Sequence, residues 1–383
     1  MRGESDMNRR VAVYILVALT VLMLVDGKYG LFDTTAPYRH LVRIEEAKGA
    51  GLDPGTPSAE KSGLLEEMLG PGQVLRLNNA LGHINVTGTP GAERAQLNYN
   101  IYVYAANEAV GEAYLDRLDI RVVQSETGLD VRLVEPAKRP EEVHQVRLDV
   151  SASIPSEARV EIYNNMGTVR VENVSGPSII NNAFGDTTIK EVGGKLNVDA
   201  AYTNLDVTRV RGDLVVKGSY GSSSLRNIDG NVTVESDFRT TSLTDVKGDI
   251  EAEISFGGIA ANEIDGDIKT KGAYTIIGAR NVTGSAIAHT EYGTVRFQGI
   301  GKDMIVDARR SDVTIILEQV PDHRISLETE NGTLTLQGTL SKLQPQTGEA
   351  GKKMVNAVVG AGTHSIEVRN VQGNVSVKHP PHP

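Results

Sequence analysis

The chain has 383 residues and a formal net charge of −10, with 40 Gly, twelve Tyr, five Phe, no Trp and no Cys. The acidic balance argues against a phosphate-reading nucleic-acid surface and a polybasic arm for anionic lipid. The lack of cysteine excludes disulfides, thiolate catalysis, cysteine zinc sites and acylated-cysteine anchors.

Arg9 and Arg10 precede a run from Val11 to Val25 in which Thr20 is the only clearly polar residue, closed by Asp26 and Lys28. Such a run, as a helix, reaches about 22 Å against roughly 30 Å of bilayer hydrocarbon, and Arg10 and Lys28 make up part of the gap by snorkelling. Residues 1–28 therefore read as a cytoplasmic stub and a single transmembrane signal anchor. A cleaved signal peptide is the alternative, with Val25 and Gly27 forming a mediocre cleavage site. The Arg9–Arg10 pair sets the N-terminus in the cytoplasm, although Lys28, Arg39, Arg43 and Lys48 nearly balance the count. The expected location is the cytoplasmic (inner) membrane, single-pass, with the C-terminal part outside the cytoplasm, periplasmic or extracellular.

Residues 29–71 read as a juxtamembrane spacer. Pro37, Pro54 and Pro57 punctuate it, and Ser58 is the predicted N-cap of a short helix through Leu64, Leu65 and Met68 that ends at Gly70. Residues 72–155 read as a β-rich cap outside the repeat. Alternation marks strands at Leu75/Leu77, Ile84/Val86 and Leu97–Val103, and others are predicted near 120–123, 129–133 and 146–150. Asn107 opens one helix.

From about residue 156 to 378 the chain repeats every eighteen residues. Val174, Val192, Val210, Ile228, Val246, Ile264, Val282 and Ile300 form one column; Phe184, Tyr202, Tyr220, Phe238, Phe256, Tyr274 and Tyr292 form another. With the Val/Ile column as position 1, position 3 is Gly from Gly176 to Gly284. Positions 5, 7, 14 and 16 are mostly apolar, and the ring is position 11. Apolar pairs two apart share a strand face, so each unit holds two short strands. The predicted fold is all-β: a parallel β-helix, or β-solenoid, of eighteen-residue turns. Corners are expected at the Gly, by virtue of a positive φ, and at the ring. The rings are expected to stack at about 4.8 Å along the interior, beside the valines. Outward Lys217, Glu235, Glu251, Glu253, Lys269 and Lys271 are expected to pair between turns. After Pro321 the register slips by about three residues through Ile325, Leu327, Leu334 and Leu336. Residues 340–355 read as an inserted loop, Ile366–Val377 as the final turn and 379–383 as a frayed tail.

The apolar-x-Gly-x-apolar-x-apolar runs, such as Val210–Val216 and Val246–Ala252, resemble the repeats of a bacterial family with an N-terminal membrane segment. It is known as the putative adhesin, or adhesin-head, family. Val150–Pro155 leading into Val160–Ile162 resembles the start of its repeats, and the likeness spans roughly 72–378. It implies a surface location and supplies no catalytic residues.

Local motifs have structural readings. Arg211-Gly212-Asp213 falls at the corner where other units carry Gly and Asp or Asn, and that Asp/Asn column supplies one ligand per turn, too few for calcium. Six N-x-Ser/Thr triplets arise from the repeat template itself. The eight His are scattered, and only His379 and His382 lie close together. No phosphate loop or nucleophile elbow occurs. The reading is of a membrane-anchored, non-catalytic surface or envelope scaffold contacting glycan or protein, with no cofactor, no metal, no nucleic acid and no assigned site residue. The alternatives are a self-assembling, bactofilin-like scaffold, an envelope-stress accessory protein, and a polysaccharide-active β-helix enzyme. The last needs converging carboxylates, which the mostly Ser, Thr and Asn outward columns do not supply.

Overall fold

The computed structural model describes residues 55–318, 322–348 and 351–379. The signal anchor and most of the spacer lie outside the described residues, as do residues 380–383 of the tail. Among the described residues no helix is long and apolar enough to cross a membrane. The strands belong to a compact unit beginning at Pro57.

Between residues 159 and 316 the chain forms two parallel ladders in which each strand pairs with the strand eighteen residues on. In the first, Val198 of β12 (Leu196–Ala200) pairs with Val216 of β14 (Leu214–Asp229), and Val216 with Val234 of β15 (Val232–Val246). In the second, Ile259 of β17 (Gly258–Ile264) pairs with Ile277 of β19 (Ile276–Val282), and Ile277 with Val295 of β21 (Thr294–Ile300). Positions 1, 5, 7, 14 and 16 face a shared core, where Val198, Val216, Val234, Ile277 and Val295 are almost wholly buried. At roughly 1.5–3 kcal/mol for each large side chain this burial is the principal favourable contribution.

The corners match expectation in part. Of the position-3 glycines, Gly212, Gly230 and Gly248 have the expected positive φ, 153–159°, whereas Gly176, Gly194, Gly266 and Gly284 do not. The residues near φ 60° lie just before position 1, where Asn173, Glu191, Arg209, Asn227, Asp245, Glu263 and Asn281 have φ of 53–60°. Along the whole column, position 3 is also where neighbouring backbones meet. A Cβ on Gly248 would lie 2.5 Å from the Gly230 carbonyl oxygen, and one on Gly266 would lie 2.4 Å from that of Gly248. The Asp and Asn that follow cap backbone: Asp213 accepts from Asn231 N–H, Asn231 from Asp249, Asp249 from Asp267 and Asp267 from Ser285, at 2.7–3.1 Å.

The rings stack as expected, with successive centroids 4.6–5.0 Å apart and planes within 13°. They are not in the core, which corrects the expectation of an interior file. Tyr202 to Tyr292 have φ of 52–56°, which turns each ring outward and leaves it 37–53% exposed. A left-handed corner costs about 1–2 kcal/mol per residue, and an offset stack returns about 0.5–1.5 kcal/mol. Several inward residues at this corner are polar, among them Thr203, Ser236 and Thr275. Arg239, 1% exposed, donates to the carbonyls of Ala200, Thr203, Tyr220 and Ser222 and to Ser223 Oγ. Burial pulls its guanidinium below the ordinary value, opposed by Asp199.

Both ends are threaded out of sequence order. The strands β2 (Val74–Leu81) and β3 (Ile84–Thr89) keep the nine-residue spacing of Leu75/Leu77 and Ile84/Val86, so they are a repeat unit, although the sequence reading placed them outside the register. They lie between β6 (Gly128–Val134) with β7 (Val143–Pro155) on one side and β8 (Arg159–Met166) with β9 (Val169–Val174) on the other. At the other end β28 (His364–Val371) and β29 (Val375–His379) sit between β22 (Met304–Arg309) with β23 (Asp312–Ile316) and β24 (His323–Glu330) with β25 (Leu334–Gly338). The last turn in sequence is therefore not the last in space. His379, expected in the tail, ends β29 and is buried.

Antiparallel strands cover the outer units. The strand β4 (Arg94–Ala105) pairs with β7, β5 (Asp119–Ser125) with β6, and β27 (Lys353–Val359) with β24. The predicted helix at Ser58 is instead a strand, β1 (Ala59–Met68), paired with β4 along its whole length. Ser58 does not cap a helix: its hydroxyl accepts from Ala105 N–H and donates to Ala105 C=O, both at 2.9 Å. Ten ladder pairings outweigh a marginal helix of one or two turns. The helix predicted at Asn107 forms as α1 (Glu108–Leu115), with Asn107 Oδ1 accepting from Val110 N–H at 3.0 Å.

Candidate functional site

Residues at position 8 face outward and line up across strands. Near the N-terminal end of the first ladder the row reads Arg132, Asn78, Tyr163, Asn181 and Asp199, from β6 through β2, β8 and β10 (Ser178–Phe184) to β12, each the register partner of the next. Neighbouring strands lie about 4.8 Å apart, so five side chains span five adjacent strands. Two residues further on, Ala80, Ala183 and Ala201 are small. The depression they leave, with the row as its wall, is a shallow cleft of ≈ 620 Å³ also lined by Asn79 and Asn165. Beneath it the amides of Asn164 and Asn182 are buried and bonded to one another at 3.1 Å, and Asn182 also donates to the Gly167 and Gly185 carbonyls. These bonds fix the corner on which the cleft rests.

This set combines amides, a carboxylate, a guanidinium and one ring, 37% exposed at Tyr163. Such groups match a neutral ligand rich in hydroxyls, which presents both donors and acceptors. Sequence reasoning assigned no ligand residue and missed the cleft. Asn78 and Tyr163 lie 85 positions apart, and only the out-of-order β2 brings them side by side.

The outward charges pair between adjacent units as expected: Lys217–Glu235 at 2.7 Å, Lys269–Glu251 and Lys271–Glu253 at 3.0 Å. All are exposed, and pairs of this kind contribute about 0.2–1 kcal/mol. Asp213 of the Arg-Gly-Asp triplet is engaged with the next unit's backbone. Among the described residues no three His, Asp or Glu side chains gather as a metal-binding group. Two histidines that are distant in sequence do meet: His323 and His364 are cross-strand partners with ring centroids 6.1 Å apart.

No family model matches the chain, and no curated protein matches its sequence. Solved structures similar to it include a putative adhesin from Parabacteroides merdae ATCC 43184, at 12% identity and TM-score 0.32, covering 84% of this chain and 97% of that one. Another is a putative adhesin from Parabacteroides distasonis ATCC 8503, at 12% identity and TM-score 0.30, covering 85% and 99%. A third is a putative cell adhesion protein from Clostridium sporogenes ATCC 15579, at 11% identity and TM-score 0.17, covering 84% and 100%. At these scores the likeness carries no inference about ligand or activity.

Proposed function

We propose that the chain is a membrane-anchored, non-catalytic surface scaffold: a β-solenoid held at the cytoplasmic membrane by its N-terminal apolar run, which binds envelope glycan in the Asn78–Tyr163–Asn181 cleft. The observation that carries the reading is the row of hydroxyl-matching side chains set across five strands beside a floor of alanines. The antiparallel strands β1, β4, β5 and β27 at the two ends weigh against end-to-end polymerisation, because they interrupt the parallel edge that a further copy would extend.

The test is retention of the detergent-purified full chain on insoluble cell-wall polysaccharide. The double variant Asn78→Ala/Asn181→Ala weakens retention by about tenfold per lost amide bond, and Lys271→Ala, far along the same row, leaves it unchanged. Retention indifferent to both changes, or release of cleaved glycan, would sink the reading. Protease accessibility in intact cells and spheroplasts tests the anchor separately.

A further inference from the structure

We propose that the exposed file of rings is the face through which two copies of this chain pair. Six rings, Tyr202 to Tyr292, are each 37–53% exposed and lie in one line. At roughly 200 Å² per ring they present on the order of 500 Å² of apolar edge, as large as the largest patch on a typical monomer. Small side chains flank the file, among them Ser219 and Ala273 before the rings and Ser222 and Thr240 after them; the row before the rings also carries Asp237 and Glu291, and Ile276 adds apolar surface to the row after. Ile276 is itself 67% exposed. With these rows the strip approaches the roughly 800 Å² per partner of a standard interface.

The backbone does not require rings here. The other left-handed corner of the same unit has the same φ and is also solvent-facing, yet it carries Glu191, Arg209, Asn227, Asp245 and Glu263. Those side chains also bond between units, as in Arg209–Glu191 at 2.6 Å and Asn227–Asp245 at 2.5 Å. Polar residues therefore suffice to stitch a corner column, and the rings make one corner apolar where the other is charged.

The period selects the occupant. A partner that meets every ring must repeat every 4.6–5.0 Å over the same length, and a second copy does so by construction. Two-fold pairing also closes the contact, giving a dimer and not a filament. A glycan stacks on ring faces, and here neighbouring rings cover the faces and leave only edges to solvent.

The experiment is sedimentation of the detergent-solubilised full chain across a concentration series. The wild-type chain is expected to dimerise. Tyr220→Asn/Phe238→Asn/Phe256→Asn keeps the left-handed corner, which Asn tolerates, and raises the dissociation constant by roughly 30-fold or more with circular dichroism unchanged. Arg209→Asn/Asp245→Asn/Glu263→Asn, at the other corner, leaves dimerisation intact. Because the chain has no native Cys, Asp237→Cys, beside Phe238 and next to the midpoint of the file, is expected to form an intermolecular disulfide on mild oxidation. A chain monomeric at every concentration, or a dimer indifferent to the ring substitutions (as one held by the N-terminal apolar run would be), overturns the proposal.

Discussion

Gly266→Ala isolates close approach in the glycine column, because Gly266 has no positive φ, whereas at Gly248 a φ of 159° would strain any side chain. The added Cβ would lie 2.4 Å from the Gly248 carbonyl oxygen and 2.6 Å from its carbon. Both are backbone atoms of a paired unit, so neither can swing away as a side chain would, and relief requires the two units to move apart. Overpacking of this kind costs about 1–3 kcal/mol. The assay is urea denaturation of the full chain followed by circular dichroism, comparing midpoints at constant slope. A midpoint for Gly266→Ala at the wild-type value would refute the close-approach argument.

Arg239→Ala strands the carbonyls of Ala200, Thr203, Tyr220 and Ser222 in a buried corner. It should cost about 2–4 kcal/mol, with hydrogen-exchange protection falling first around residues 200–240. His323 is held below the ordinary imidazole value by burial and by the facing His364, against the opposing pull of Asp322 and Asp303. With the folded value depressed, the unfolded chain takes up the proton first. Stability is full above about pH 6.5 and declines as pH falls toward the folded value, and His323→Gln should flatten melting temperature measured across that window. A chain ending at residue 359 lacks β28 and β29. Ile325 and Leu327 then fall in register with Met304 and Val306, so an Ile305→Cys/Ser326→Cys pair should form a disulfide in the truncated chain. In the full chain β28 holds those residues two strands apart, beyond disulfide reach.

The repeating part was legible because its signal is local. Two residues eighteen apart become neighbours, and the alternation at Val198 or Leu205 says which face is buried. What was misjudged depends on the sign of one dihedral or on chain order. A ring column reads the same whether it turns inward or outward, and the positive φ at Tyr202 decides it. A residue that resembled the rest of its column was easy to place. Arg239 was overlooked because it occupies a position where the adjacent units carry Gly221 and Gly257. At the ends the apolar pattern was present in β2–β3 and in β24–β25, but periodicity carries no information on threading order, and the cleft depends on that order. Ser58 followed by an amphipathic stretch matched a helix start, and the open edge of β4 decided in favour of a strand.

The central claim is that units follow one another by a fixed step along the ladders. Pulsed electron spin resonance between labels at outward position 8, introduced by Cys substitution in the Cys-free chain, tests it most directly. Pairing Asn181 in turn with Glu253, Lys271 and His289 should give separations that lengthen by about 4.8 Å per eighteen residues. Separations that fail to rise with unit number, or that rise by the roughly 10 Å of stacked sheets, would contradict it.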